Sequence, residues 1–320
     1  MKFLLLLLPI LSFTASRQGD IRPQPGFKYY ETLVNFPKPE FDVRLNPEDS
    51  AYRLLRFTST HNCFPDTARD GGHLDGDHIF QPRKDHYDDS SVLLVVPRSY
   101  KPKQKIDLVF WYHGWHNNID TALRFYGLAR QFAASQVNAV LVLPEAGKNV
   151  ADSYGGKMNQ KGMFRLLVAD VMAQLKKRHL APANAEPGHI LLAGHSGAFL
   201  VIANILDNGE QPISEVYLFD ALYSHVPSFM NWIGKDTANR HFVHWFTNKG
   251  GGTDEVSDTM MLRLKEKSWP FRLVDESAVT PAVLQTNKIL FIHSPREHNV
   301  IINDPDDFQR LLESSMYLGK

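Results

Sequence analysis

The stretch HILLAGHSGA, residues 189–198, decides the fold of this chain, because a strand pattern runs in it directly into a tight turn. Its first half is a short, continuous apolar run, which is typical of a strand covered on both faces. The apolar residues 198–206 that follow predict a helix. Between the two, glycines flank Ser196, where a sharp strand-to-helix turn would lift a serine hydroxyl above the edge of a sheet. We therefore expect Ser196 to be a nucleophile.

Further apolar runs of strand length lie on both sides of this stretch, and helical patterns separate the later ones. The predicted strands are residues 91–97, 106–113, 138–144, 189–193, 216–219, 241–247 and 288–293. Asp120 is expected to cap one helix, a second carries apolar residues from Phe164 to Leu175 and ends at residues 176–178, and a third closes the chain at 306–317. Alternating strands and helices predict an α/β fold, in which helices cover both faces of a mostly parallel sheet. The sequence shows no internal repeat and no low-complexity linker, so we expect one domain.

The residues Gly-His-Ser-Gly-Ala, 194–198, resemble the nucleophile motif G-x-S-x-G of the α/β-hydrolase superfamily, with Ala198 in place of the second glycine. The resemblance extends over residues 91–320, which we expect to form the catalytic core. It implies that the loop beginning His113-Gly114, after an early strand, surrounds the developing oxyanion. The backbone N–H groups of Trp115 and Gly197 would then face that oxyanion.

The same resemblance implies a catalytic histidine in the loop after the last strand, where His298 matches and His293, which ends the strand, is the weaker alternative. A serine hydroxyl needs such a base because it is barely ionised at neutral pH, and an imidazole can take its proton and return it to the leaving group. Asp220 ends the strand 216–219 and is the preferred acid, since active groups gather at the carboxyl ends of strands. Asp254 stays open as an alternative acid, although it also fits a helix N-cap.

The first residues of the sequence indicate export. Lys2 precedes an apolar run, 3–11, that is too short to span a bilayer of about 30 Å, and small residues follow at 14–16. We expect residues 1–16 to be a signal peptide and residues 17–90 to form an irregular N-terminal arm with the first strand or strands. The mature protein would be secreted or periplasmic, without an integral membrane span.

The composition limits the classes of partner and cofactor. Lys plus Arg and Asp plus Glu each total 35, so the formal net charge is zero and no basic field attracts a nucleic acid. Cys63 is the only cysteine, which makes a disulfide within the chain impossible and favours a structural role. The stretch 70–78 is rich in aspartate and histidine, but it matches no zinc spacing and lacks the distal glutamate of a calcium loop. We therefore expect no metal and no cofactor.

These patterns together predict an exported serine hydrolase that cleaves a carboxylic ester through an acyl-serine intermediate. Its partner would be an ester- or amide-bearing small molecule or an extracellular polymer. An amidase or peptidase with the same triad is an alternative, because the triad does not select the leaving group, and so is a hydrolase-fold binding protein without activity. Only residues 221–240 occupy the place where the family often inserts a lid, so we expect a small or absent lid and an open cleft edged by Phe229 and Trp232.

Overall fold

The computed structural model describes residues 51–320; the expected signal peptide and most of the expected arm lie outside these residues. The strands of this part are β1 (Tyr52–Thr58), β2 (His73–Leu74), β3 (Phe80–Gln81), β4 (Ser91–Pro97), β5 (Lys105–Tyr112), β6 (Ala139–Pro144), β7 (Glu186–His195), β8 (Glu215–Phe219), β9 (His241–Thr247), β10 (Arg272–Asp275) and β11 (Ile289–Ser294). The helices are α1 (Arg83–His86), α2 (Ile119–Phe125), α3 (Leu128–Ala134), α4 (Met163–Lys177), α5 (Phe199–Asn208), α6 (Val226–Lys235), α7 (Thr253–Glu266), α8 (Pro281–Thr286) and α9 (Asp307–Glu313).

Nine of the strands within residues 51–320 form one sheet, in the order β1-β4-β6-β5-β7-β8-β9-β11-β10. The strands from β6 to β10 in this order run parallel, while β4 and β1 add two antiparallel strands at one edge. β2 and β3 pair separately as a small hairpin. The predicted α/β class with a mostly parallel sheet is thus confirmed, and β1, from the segment before residue 91, belongs to the same sheet.

Two neighbouring side chains of β5 show that helices cover both faces of the sheet. Successive residues of a strand point to opposite faces. Phe110 packs against Phe164 of α4 with ring centroids 4.8 Å apart, and Trp111 packs against Phe308 of α9 at 4.9 Å. All four rings are buried, so each face of the sheet has an apolar layer beneath a helix.

The register of the central strands brings the loops that follow them to one edge. Tyr112, the last residue of β5, lies beside Gly194 of β7, and His195 lies beside Phe219, the last residue of β8. The carboxyl ends of parallel strands meet at the same edge, and this is where α/β proteins place their sites. The residues after Tyr112, His195 and Phe219 therefore start side by side.

The C-terminal tail is attached at the opposite edge of the sheet. Glu215, the first residue of β8, is fully buried and accepts a hydrogen bond from the N–H of Met316 at 3.1 Å and another from the hydroxyl of Ser315. The ring of His241, at the start of β9, bonds the same carboxylate at 2.7 Å. The tail is thus fixed at the amino ends of the strands.

Three expectations about the helices were wrong in detail. Asn118, not Asp120, is the N-cap of α2, and its side chain accepts the N–H of Thr121. The helical pattern after it breaks at Gly127, whose φ of +59° ends one helix and starts α3. The closing helix is shorter than the range 306–317, because it ends at Glu313.

The segment 221–240 contains helix α6 rather than a cleft edge. Phe229 and Trp232 of this helix are buried in the apolar core, so the expectation that they border the cleft was wrong. Their spacing of three residues puts both on the face of α6 that turns inward. In the part of the chain that the structure describes, no helix combines the length and apolar character that a membrane crossing requires.

Candidate active site

Ser196 lies in the turn between β7 and α5, directly after the last residue of the strand. Its φ of +54° falls in the left-handed region, which residues other than glycine adopt only rarely. The turn is tight because the buried strand ends at His195 and helix α5 begins at Phe199. The structure thus places Ser196 in a strained turn between a strand and a helix, where the sequence analysis expects it.

His298 and Asp220 form a hydrogen-bonded pair at the same edge of the sheet. The Nδ1 atom of His298 lies 2.6 Å from Oδ2 of Asp220. Asp220 directly follows β8 with a φ of +44°, and its side chain is fully buried, whereas the His298 ring is about one-fifth exposed. Such a pair fixes the ring orientation and stabilises its protonated form, which is what a general base requires from its acid.

Further hydrogen bonds to Asp220 keep its carboxylate ionised inside the protein. Burial alone would raise the pKa of Asp220, but the hydrogen bonds from His298 and Thr253 outweigh it and hold the pKa below its ordinary value. The hydroxyl of Thr253 donates to Oδ1, and the backbone N–H of Thr247 donates to the same oxygen at 3.2 Å. Thr253 is a site residue that the sequence analysis missed, since no local pattern links it to Asp220.

The two weaker candidates lie elsewhere on this side of the sheet. Asp254 is the second residue of α7, whose N-cap is Gly252 with a φ of +104°, so the expected N-cap role of Asp254 was wrong. His293 lies on β11, where its Nδ1 is 3.6 Å from the exposed carboxylate of Asp275. Asp254 and His293 line one shallow surface depression of about 450 Å³. The structure brings Asp220, and not these residues, against His298.

His195, which was not singled out from the sequence, contacts the ring and the backbone of His298. The two rings are in contact, tilted by 37° with centroids 4.4 Å apart, and Nε2 of His195 lies 3.0 Å from the backbone oxygen of His298. The hydroxyl of Tyr126 lies 3.0 Å from Nδ1. Burial, reinforced by the charge of His298, lowers the pKa of His195 to about 3, so the ring is neutral. With one ring proton, Nε2–H donates to the carbonyl and Nδ1 accepts from Tyr126.

The loop carrying His298 is anchored by Arg296. The guanidinium pairs with Glu276 and with Asp307, which is fully buried at the start of α9. The backbone oxygen of Arg296 accepts a hydrogen bond from the hydroxyl of Thr247 at 2.7 Å. Because the backbone N–H of Thr247 also donates to Asp220, the same residue connects the loop that carries His298 to Asp220.

His113 fixes the loop that follows β5. Its Nδ1–H donates to the carbonyl of Gly114 at 2.8 Å, and its Nε2 lies 2.7 Å from Glu145, the residue after β6. Both side chains are buried. The C=O and N–H of a trans peptide point in opposite directions. By holding the Gly114 carbonyl, His113 therefore sets the direction of the Trp115 N–H, the expected oxyanion donor.

Gly114 lets this loop approach the turn that carries Ser196. A Cβ atom at this position would lie 2.7 Å from Cβ of Ser196 and 3.2 Å from the backbone nitrogen of Gly197. Any side chain at this position would push the loop away from that turn. The two expected donors, the N–H groups of Trp115 and Gly197, are thus carried by backbone segments in close contact, next to Ser196.

The stretch 70–78 and Cys63 have contacts that account for them within the fold. Asp75 accepts the backbone N–H groups of Asp77 and Ile79 at 3.0 Å each, which shapes a turn. Among residues 51–320, no group of three or more histidines, cysteines or acids lies close enough to hold a metal ion. Cys63 is fully buried, and burial raises the pKa of its thiol to about 12, so it is not an activated nucleophile.

Comparison with solved structures identifies the fold. No family model matches the chain, and no curated protein matches its sequence. The feruloyl esterase module from Clostridium thermocellum, complexed with sinapinate, is similar in structure at 13% identity, with a TM-score of 0.50 over 87% of this chain and 93% of that chain. The S-formylglutathione hydrolase from Staphylococcus aureus has 12% identity and a TM-score of 0.47 over 82% and 97% of the two chains. The first likeness shows the α/β-hydrolase fold that the motifs predicted.

Proposed function

We propose that this chain is a serine hydrolase that cleaves a carboxylic ester through an acyl intermediate on Ser196. The observation that supports this most is the 2.6 Å hydrogen bond between His298 and the buried Asp220, at the edge where Ser196 occupies its strained turn. In this proposal His298 is the general base and Asp220 the acid that orients it. The esterase activity named for the Clostridium thermocellum module favours an ester over an amide.

The proposed reaction proceeds in two halves. Oγ of Ser196 attacks the ester carbonyl carbon while His298 takes the hydroxyl proton, and the oxyanion faces the N–H groups of Trp115 and Gly197. The tetrahedral intermediate then collapses, and the alcohol leaves with the proton from His298. Water, deprotonated by the same ring, attacks the acyl group and restores the serine. Removing one oxyanion donor costs about 3 kcal/mol in comparable enzymes.

Covalent labelling tests the nucleophile directly. We expect a fluorophosphonate probe to label the native protein and to leave Ser196→Ala unlabelled, because the probe reacts with an activated serine. His298→Ala should label at least about a hundredfold more slowly, since the serine loses its base. Mass spectrometry of the adduct locates it, and circular dichroism checks that each variant is folded.

Three results would contradict the proposal: a native protein that resists the probe, an adduct on another residue, or equal labelling of Ser196→Ala. Hydrolysis of a p-nitrophenyl ester, compared with the p-nitroanilide of the same acyl group, separates an esterase from an amidase. A higher kcat/KM for the anilide would favour the amidase alternative.

We also propose that the mature enzyme is exported, to the periplasm or outside the cell. The support is the sequence of residues 1–16, which lie outside the described part of the structure. An ester-bearing small molecule or extracellular polymer would then be the substrate.

A further inference from the structure

The indole of Trp115 packs against a glycine at each end of its long axis. A Cβ atom on Gly197 would lie 2.5 Å from Cδ1 of the indole, and a Cβ atom on Gly76 would lie 2.7 Å from Cη2. Real side chains do not approach so closely, so the ring fills the space that side chains at both positions would need. The indole N–H donates to the hydroxyl of Ser153 at 2.7 Å. Trp115 is nevertheless partly exposed, and so forms part of the surface beside the nucleophile.

The segment around Gly76 is fixed against the body of the protein. The N–H of Gly76 donates to the carbonyl of Ala151 at 2.9 Å. The next residue, Asp77, lies 3.1 Å from the ring of His116, which follows Trp115 in sequence. Arg69 pairs with the nearly buried Asp152 at 2.8 Å. These contacts hold the far end of the indole, so the ring has little freedom to move aside.

The arrangement around Ser196 indicates which part of an ester meets the indole. The ring of His298 lies against the ring of His195, the residue before Ser196, whereas the indole of Trp115 lies against Gly197, the residue after it. An alcohol leaving group takes its proton from the base, so it departs on the His298 side. In the proposed reaction the acyl substituent would then extend away from His298, toward the indole.

We propose that the Trp115 side chain is a specificity-determining wall that limits the size of the acyl group, and that Gly76 sets its position from behind. The inference rests on the proposed function, because it assumes an ester attacked by Ser196. It also gives the segment around Gly76 a role in substrate selection, through the placement of one ring. The substrate class is an ester with a short acyl chain.

The segment itself supplies a matched pair of variants for the test. Gly76→Ala adds a methyl group against the indole and presses it toward Gly197, without touching Ser196, His298 or Asp220. Gly71→Ala adds the same group five positions earlier, where a Cβ atom meets nothing within 4 Å. Neither glycine has a positive φ, so neither change strains the backbone. The measurement is kcat/KM for p-nitrophenyl acetate and p-nitrophenyl butanoate.

We expect Gly76→Ala to lower the butanoate-to-acetate ratio of kcat/KM about tenfold, the effect of one or two methylenes in a close-fitting pocket. Trp115→Ala, which keeps the backbone N–H, should raise the same ratio about tenfold. Gly71→Ala should leave it as in the native protein. The proposal for Trp115 is overturned if the butanoate-to-acetate ratio is unchanged in both Gly76→Ala and Trp115→Ala. It is also overturned if Gly71→Ala changes this ratio as much as Gly76→Ala does.

The fluorophosphonate probe separates this proposal from the function on which it rests. If the native protein and the variants label fully at Ser196 while the butanoate-to-acetate ratios stay unchanged, the proposed role of Trp115 is overturned. The proposed serine hydrolase function is then retained. If the native protein neither labels nor hydrolyses the esters, both proposals fall together.

Discussion

At the scale of single residues, two of the residues proposed to carry the chemistry have a strained backbone conformation. Ser196 and Asp220 have φ values of +54° and +44°, although neither is glycine. The left-handed region costs about 1–2 kcal/mol for a residue with a Cβ atom. Both residues directly follow buried strands, whose pairing in the sheet fixes the backbone up to the strained position. The strain thus lies at the positions where the side chains of Ser196 and Asp220 project from the edge of the sheet in a defined direction.

A buried histidine makes the stability of the protein depend on pH. Burial lowers the pKa of His244, in β9, to about 3, while the unfolded chain titrates near 6.5. Between these values the unfolded state binds the extra proton, so stability falls as the pH falls. From pH 7.5 to pH 5 this one residue should cost about 2 kcal/mol.

The variant His244→Phe tests this cost, because phenylalanine fits a site already lined by Phe246 and Phe291. In urea unfolding, the loss of stability between pH 7.5 and pH 5 should shrink by about 2 kcal/mol relative to the native protein. His189→Phe, a change at an exposed ring, is the matched control. An equal loss in His244→Phe and the native protein would show that His244 is not neutral in the folded state.

Ser196 and Asp220 could be singled out from sequence because each follows an apolar run that predicts a buried strand, and His298 because of the resemblance to the α/β-hydrolase superfamily. Sequence spacing could not identify Thr253 or His195 as their supports. Thr253 reaches Asp220 across 33 residues of chain, and His195 meets His298 across 103. Such contacts depend on which strands become neighbours in the sheet, and local sequence patterns do not predict that strand order.

At the scale of elements, the loop after β5 depends on a buried pair from two neighbouring strands. His113 holds the Gly114 carbonyl and is itself bonded to Glu145 after β6. If the loop supplies an oxyanion donor, His113→Ala should lower kcat about a hundredfold with little change in KM, because the donor acts mainly on the transition state.

The conservative variant His113→Asn separates positioning from simple structural support. An asparagine amide can replace the Nδ1–H donor, so this variant should recover most of the lost kcat. Steady-state kinetics on p-nitrophenyl acetate measure both constants, and thermal unfolding reports any loss of stability. Equal kcat values for the two variants, or a change confined to KM, would argue against a positioning role.

Strands with a continuous apolar run were predicted closely, whereas an exposed strand at the edge of the sheet was not. The strands 91–97 and 241–247 coincide with β4 and β9 residue for residue, because every residue of the two strands except Ser91 is buried. β10 was missed, since three of its four residues are exposed and give no apolar run. The helix expected from Asp120 was divided because Gly127 provides a left-handed turn inside an otherwise regular pattern.

At the scale of the whole molecule, the proposal of export concerns residues that precede the described structure. Expression of the full chain in a bacterial host should release protein whose N-terminus lies near residue 17, as sequencing of the product would show. Leu6→Arg, which interrupts the apolar run, should keep the chain unprocessed inside the cell. A native chain that retains Met1 and stays in the cytoplasm would contradict the proposal.

The attachment of the C-terminal tail bears on how the enzyme can be handled. Ser315 and Met316 are fastened to Glu215 at the amino ends of the strands, while Ser196 and His298 lie beyond their carboxyl ends. A linker fused after Lys320 would emerge on the side of the sheet remote from the catalytic edge. Coupled to a resin or sensor surface through that linker, the molecules would share one orientation, with Ser196 turned outward to the flowing solution.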